Sequence, residues 1–322
     1  MKNIFTALFF AAFLQPILAQ QPAQYSLFML NKYAFNPAYA GMDNSLVVTG
    51  AYRKQWAGLE GSPETQNLNA HLPLYVVGGG VGFGVENESL GSWSQTSALL
   101  TYAYQRPMGK GFLSLGLSAG LVQREIDGSK ITTPEGIYDD LGNLIDLNDL
   151  ILTMGKQNGA APTVHAGLYY QGERLEVGIS AANLLEKEVE LATLSFKPEK
   201  TYYFLLGYRL DLGKHFLVNP SVFVKSDVRQ TQIDISVLVH YNENIFAGAS
   251  FRGYRPESRD AVALIGGFKL SEKISLGYAY DLTLSPLKTV SNGTHEILLT
   301  YNLGKPIGKG RPPKIIYNPR SL

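Results

Sequence analysis

The chain has 322 residues, with 28 Lys and Arg against 27 Asp and Glu, so a net charge of +1 gives no electrostatic footprint for nucleic acid. No cysteine is present, which excludes a disulfide framework, thiolate catalysis and zinc–thiolate sites together. Charged residues make up 17% of the chain, below the roughly 25% usual in soluble domains, while 33 Gly and 19 Tyr are generous, as suits a barrel with aromatic girdles.

Residues 1–19 carry Lys2, an apolar run and a small-residue exit at Ile17-Leu18-Ala19, the pattern of a secretory signal. The mature chain is then expected to start near Gln20. No cysteine there supports a lipid anchor, and no later stretch has the ~18 or more apolar residues of a membrane helix. Residues 20–44 hold aromatics without alternation and Pro37 near a turn, and read as a periplasmic N-terminal arm.

From 45 to 303 the sequence alternates with period two, the repeat of strands with one apolar and one polar side. The first segment, 45–56, sets Leu46, Val48, Tyr52 and Trp56 against Val47, Thr49, Arg53 and Gln55. Lys54 falls in the apolar phase, and its place beside Trp56 near the strand end lets it reach a membrane interface. Further segments are 65–74, 78–88, 94–106, 111–124, 162–171, 174–181, 201–211, 215–224, 229–241, 244–252 and 261–270. The last hairpin, 273–285 and 294–303, alternates longest, with Ile274, Leu276, Tyr278, Tyr280, Leu282 and Leu284 on one face. The sum is about fourteen strands, an even number as in single-chain outer-membrane barrels. Pro220 is a blemish, because it removes one ladder hydrogen bond.

Connections near 109, 172, 213, 242 and 271 read as tight, and those at 57–63, 87–93, 125–161, 182–200, 225–228, 253–260 and 285–293 as longer. Such sorting is expected of short periplasmic turns and long outer loops, with both termini in the periplasm. The expectation is an all-β, transmembrane antiparallel barrel over 45–303, followed by a basic, Pro-containing periplasmic tail at 304–322. Lumen charges are expected at Arg53, Glu86, Arg174, Glu176, Arg209, Asp234 and Asp281, either pairing with one another or lining a solute path.

The loop at 125–161 carries Asp127, Glu135, Asp139, Asp140, Asp146 and Asp149. Its readings are a solvated lid, a docking surface for a partner, or a weak calcium site whose spacing does not fit an EF-hand. The tail carries Lys305, Lys309, Arg311, Lys314 and Arg320 without an acid, and is either disordered or grips a periplasmic protein. Gly116-Leu117-Ser118-Ala119-Gly120 matches a nucleophile elbow, but lies inside an alternating strand with no helix after it. Gly78 to Gly82 lacks the Lys-Ser/Thr ending of a phosphate loop. The glycines at 80, 82 and 84 are better read as making room for a plug or letting the wall bend. The five histidines show no metal spacing. Neither enzyme activity nor a cofactor is expected.

Three blocks resemble the PorP/SprF family of the type IX secretion and gliding machinery. They are Gln24-Tyr25-Ser26-Leu27-Phe28-Met29-Leu30-Asn31 running to Asn36-Pro37-Ala38-Tyr39-Ala40-Gly41, then Tyr52-Arg53-Lys54-Gln55-Trp56 with Gly61-Ser62-Pro63-Glu64-Thr65-Gln66. The third is Gly277-Tyr278-Ala279-Tyr280-Asp281 with Ser285 and Gly293-Thr294-His295-Glu296-Ile297. The likeness covers about 24–303 and leaves out the basic tail and the acidic loop. It implies an outer-membrane barrel that helps secrete, or hold at the surface, a large partner such as an adhesin. It also implies contact with other secretion or motility components. The family offers no catalytic residues to carry over. For the signature positions the hypothesis is that Phe28, Tyr33, Asn36, Pro37 and Tyr39 pack the arm into the periplasmic mouth and seal the pore. The alternative is an arm that merely caps the first strand. A second functional reading is a transporter of hydrophobic or small solutes, in the manner of fatty-acid channels.

Overall fold

The computed structural model describes residues 23–133, 136–139, 144–147, 155–192, 194–253 and 260–305. The expected signal and most of the basic tail lie outside them. Fourteen antiparallel strands form one closed sheet: β1 (Val47–Lys54), β2 (Glu64–Leu74), β3 (Gly79–Leu90), β4 (Trp93–Met108), β5 (Gly111–Asp127), β6 (Lys156–Gln171) and β7 (Leu175–Ala182). The remainder are β8 (Thr201–Tyr208, continued by Leu210–Leu212), β9 (Phe216–Ser226), β10 (Thr231–Tyr241), β11 (Ile245–Arg252), β12 (Ala261–Lys269), β13 (Ile274–Thr283) and β14 (Thr294–Asn302). Each strand pairs with the next, and β14 returns to β1 with Val47 opposite Asn302 and Lys54 opposite His295. Closure removes every sheet edge, which is what lets strands cross a lipid core with all backbone groups satisfied. No helix among the described residues is long and apolar enough to cross a membrane.

The alternation in the sequence becomes an inside and an outside. In β5, Leu115, Leu117 and Leu121 are exposed while Ser114 and Ser118 are buried; in β10, Ile235 and Val237 are exposed while Asp234 and Ser236 are buried. An exterior that also shows Leu100, Ile179, Leu264 and Leu299 is a surface for hydrocarbon, not for water. Exposed Tyr104, Tyr208, Phe216, Tyr241 and Phe268 lie at the ends of their strands on one side, where aromatic rings sit at the headgroups.

The two barrel ends differ. One carries the connections 75–78, 109–110, 172–174, 213–215, 242–244 and 270–273. The other carries 55–63, 91–92, 128–155, 183–200, 227–230, 253–260 and 284–293. The expected sorting of loops therefore fades at 227–230, which at four residues is no longer than 75–78 or 270–273, and fails at 91–92. There β3 and β4 stay paired to Leu90 and Trp93, so residues read as loop are ladder. In the same way β5 and β6 stay paired out to Asp127 and Lys156, which shortens the largest loop and raises the wall on that side. A loop ribbon, Val189–Glu190 with Ser195–Phe196, leans on this wall through Val122, Ala161, Val189 and Leu191.

Pro220 also finds its reason. The β8–β9 ladder runs to Gly207 opposite Ser221 and resumes at Leu210 opposite Val218. Pro220 falls in that gap, where β8 breaks at Arg209, so the ladder is interrupted where a proline has no N–H to give.

Candidate functional site: the arm inside the barrel

Residues 23–44 run through the lumen as three short 3-10 turns, Phe28–Leu30, Lys32–Ala34 and Pro37–Tyr39. The last is built for its place: the Asn36 side chain accepts from the Ala38 N–H at 2.9 Å and Pro37 holds the first helical position. The arm aromatics then meet lumen-facing rings. Phe28 stacks on Phe223 with centroids 4.9 Å apart, Phe35 lies 4.8 Å from Phe223 and 5.8 Å from Tyr203, and Tyr39 meets Tyr169 edge-on at 5.1 Å. Leu205, Leu238, Phe246, Ile265 and Leu298, all pointing inward, complete the cluster. A water-filled pore would not carry them, and their partner is the arm.

Where no side chain stands on the wall, the arm comes closest. A Cβ at Gly116 would collide with the backbone of Pro37 and Ala38, and one at Gly82 with the Tyr33 hydroxyl. Gly41, at φ +77°, packs on Gly80, Leu72 and Pro73 where the chain turns out towards β1.

Polar contacts pin the arm along its length. The Tyr25 hydroxyl donates to Glu86 at 2.5 Å, Tyr33 to Thr101 at 2.7 Å, and Lys32 reaches Glu176 at 2.5 Å. Asn36 donates to the carbonyls of Leu168 and Ile179, both at 3.1 Å, and Gln105 to that of Ala40 at 2.9 Å. Asn31 joins Asn67 and Asn69. A cavity of about 90 Å³ remains between arm and wall, lined by Tyr33, Asn69, Glu86, Thr101, Ser118 and His165 among others.

The densest part surrounds Ser26. Its hydroxyl donates to both oxygens of Asp281 at 2.7 and 2.8 Å, and its N–H donates to Glu296 at 2.6 Å. The Leu27 N–H reaches Glu296 at 3.1 Å. Around this point Arg53 bridges Asp281 and Glu296, at 2.8 and 2.9 Å, and Arg252 bridges Asp234 and Asp281, at 2.8 and 3.0 Å. Both arginines also donate to the Ser26 oxygen, at 3.0 and 3.1 Å.

All five charged residues lie near the long-loop ends of their strands, and Gln24 and Ala23 are met by Gln55 and Lys225, which lie there too. The arm therefore occupies more of the lumen than a seal at the mouth would. The arm is not confined to the short-turn mouth: Gly41 sits there, but Ala23–Leu27 reach the opposite end. The described amino end and the carboxyl end at Leu303–Lys305 therefore lie on opposite sides.

Of the expected lumen charges, Arg53, Glu86, Glu176, Asp234 and Asp281 face inward. Arg174 is exposed in a turn, and Arg209 pairs with Asp211 at a strand end. Of the loop acids, Asp127 closes its own turn, accepting from the Ser129 N–H and hydroxyl at 3.2 and 2.5 Å. Asp146 ends a ribbon, Leu144–Asp146 against Ile137–Tyr138, and Asp139 follows the facing strand. Glu135, Asp140 and Asp149 lie outside the described residues. No group of three or more potential metal-binding side chains is found among the described residues. Lys305 is exposed at the short-turn end, and Lys309, Arg311 and Lys314 lie outside the described residues.

The family model for the type IX secretion system membrane protein PorP/SprF matches residues 17–301. The chain belongs to the PorP/SprF family. Its membrane is the outer one, as the closed barrel and the secretion system require. No curated protein matches this PorP/SprF chain. Among solved structures it is similar to Omp33 of Acinetobacter baumannii, at 6% identity over 80% of this chain and 97% of that one, with a TM-score of 0.46. It is similar also to the toluene transporter TbuX of Ralstonia pickettii, at 9% identity over 83% and 91% with a TM-score of 0.47. The monoaromatic hydrocarbon channel CymD matches at 14% identity over 87% and 93%, with the same TM-score.

Arg252 was not singled out by the sequence, and Tyr25, Ser26 and Glu296 stood in the blocks of the family resemblance without a role, although Glu296 lies in the polar phase. A usable signal was present: Leu238 and Leu298 interrupt otherwise polar, inward phases. In a barrel such residues call for an apolar occupant of the lumen.

Proposed function

We propose that this PorP/SprF protein is a plugged, non-catalytic anchor of the secretion system. It holds a secreted surface protein, or the C-terminal domain of one, at its long-loop end, and passes no small solute. The observation that carries the reading is the filled lumen: aromatic packing, wall glycines and polar contacts all fit residues 23–41. In this reading the long loops face outward, and the loop expected at 125–161, with Asp127, Asp139 and Asp146, takes part in docking the cargo. The short turns and the tail beginning at Lys305 face the periplasm and its secretion components. Phe28, Tyr33, Asn36, Pro37 and Tyr39 make the seal.

Single-channel recording tests it. The intact protein is expected to be silent in planar bilayers, and a correctly folded variant lacking residues 24–41 to conduct. Purification from the native membrane is expected to bring down one large surface protein. An intact barrel that conducts, recovered alone with hydrophobic solute inside, would overturn the anchor in favour of a transporter.

A further inference from the structure

The arm is held by the wall without being part of the wall. Strand β1 is fully paired on both sides by β2 and β14, so the sheet closes without residues 23–44. The charges around Ser26 are likewise complete without it: Arg53 pairs with Asp281 and Glu296, and Arg252 with Asp234 and Asp281, all from strands. To that cluster the arm adds only one hydroxyl and two backbone N–H groups. Withdrawing it leaves no carboxylate there without its guanidinium, the loss that makes broken buried pairs so costly. The ion pair between Lys32 of the arm and Glu176 of the wall is partly solvent-exposed, so both ends can hydrate when they part.

We infer that the lumen is a peptide-binding site whose resident ligand is residues 23–41, and that this segment exchanges with a peptide of the same sequence supplied separately. The inference rests on the plug reading above, and adds that the plug is removable. The ligand class is set by the wall: a phenol for Glu86, a small hydroxyl for Asp281, an aromatic ring for Phe223 and a carboxamide for the carbonyls of Leu168 and Ile179. Exchange begins at the long-loop end, because Ala23 and Gln24 lie there while Gly41 is tethered to β1 at the other. A partner docked on the long loops is thus placed next to the end of the arm that leaves first.

The test uses the folded full chain with a specific-protease site inserted between Asn44 and Ser45. After cleavage in detergent, a labelled synthetic peptide of residues 21–44 is added. Heat-modifiable migration on gels reports that the barrel is intact. Cut protein is expected to take up one label per barrel, uncut protein none. A peptide carrying Ser26→Ala is expected to bind about tenfold or more weakly, having lost hydrogen bonds to charged groups. Placing this change in the peptide leaves the barrel untouched. Cut barrels that keep their own arm and take up no label would overturn the inference, and so would equal labelling by uncut protein or by a scrambled peptide. Silent conductance in the cut protein before peptide is washed out reports sealing separately, so failure of the plug and failure of exchange are told apart.

Discussion

Arg53 and Lys54 are neighbours in β1, carry the same charge and live in different solvents. Arg53 points inward, 1% exposed, and is held by two carboxylates on two other strands. Lys54 points outward near the strand end and pairs with Glu64 directly across on β2, each about one-third exposed. The first is buried among fixed dipoles and cannot relax; the second sits where water and headgroups compete for it. A single step of the pleat thus separates a charge that organises the lumen from one that only has to be tolerated outside.

The sharpest way to break the contrast is Arg53→Met. It strips Asp281 and Glu296 of one guanidinium each while leaving them buried, which costs about 3–5 kcal/mol for a buried pair that loses one partner. The unfolding free energy from urea titration, followed by loss of heat-modifiable migration, is expected to drop by that amount. Protease access to the arm is expected to rise, because Ser26 loses a donor as well. A variant as stable as the parent would mean that the cluster is not closed in the membrane-inserted protein.

Phe28→Ala asks the same question of the apolar half of the plug. The ring is fully buried between the arm and Phe223, and its removal leaves a hole that the rigid wall cannot close, at about 3 kcal/mol. Most of that loss is expected in the docking of the arm rather than in the sheet. Protease cleavage near residue 30 should therefore appear while the barrel still migrates as a folded species.

How much of this the sequence disclosed follows from the same inside–outside distinction. Strands could be read because lipid outside and a mainly polar lumen impose opposite demands on alternate residues, and the segments fell close to their observed ends except β6, which starts at Lys156 rather than 162. The misses lie where that contrast fades. In β11 the inward phase reads Phe246, Gly248, Ser250, Arg252, so a large ring hides the polar character that would have flagged Arg252. The turn at 91–92 was hidden because β3 and β4 continue as ladder through Asn87, Glu88, Ser94 and Gln95, where alternation weakens. The arm has no period at all. It is shaped by pockets contributed from several strands, and pairings such as Ser26 with Asp281 join residues that only barrel closure brings together.

The smallest expected effect is that of Lys54→Ala. Exposed ion pairs contribute at most about 1 kcal/mol, and this one sits at the rim with Glu64 free to turn to water once its partner is gone. The expected change in the unfolding free energy from urea titration is therefore within about 1 kcal/mol, with the arm as protected as before. A loss as large as that of Arg53→Met would place Lys54 inside the hydrocarbon rather than at its border. The barrel would then have to sit deeper towards the long loops, and the cluster around Ser26 would lie well within the membrane instead of near its surface.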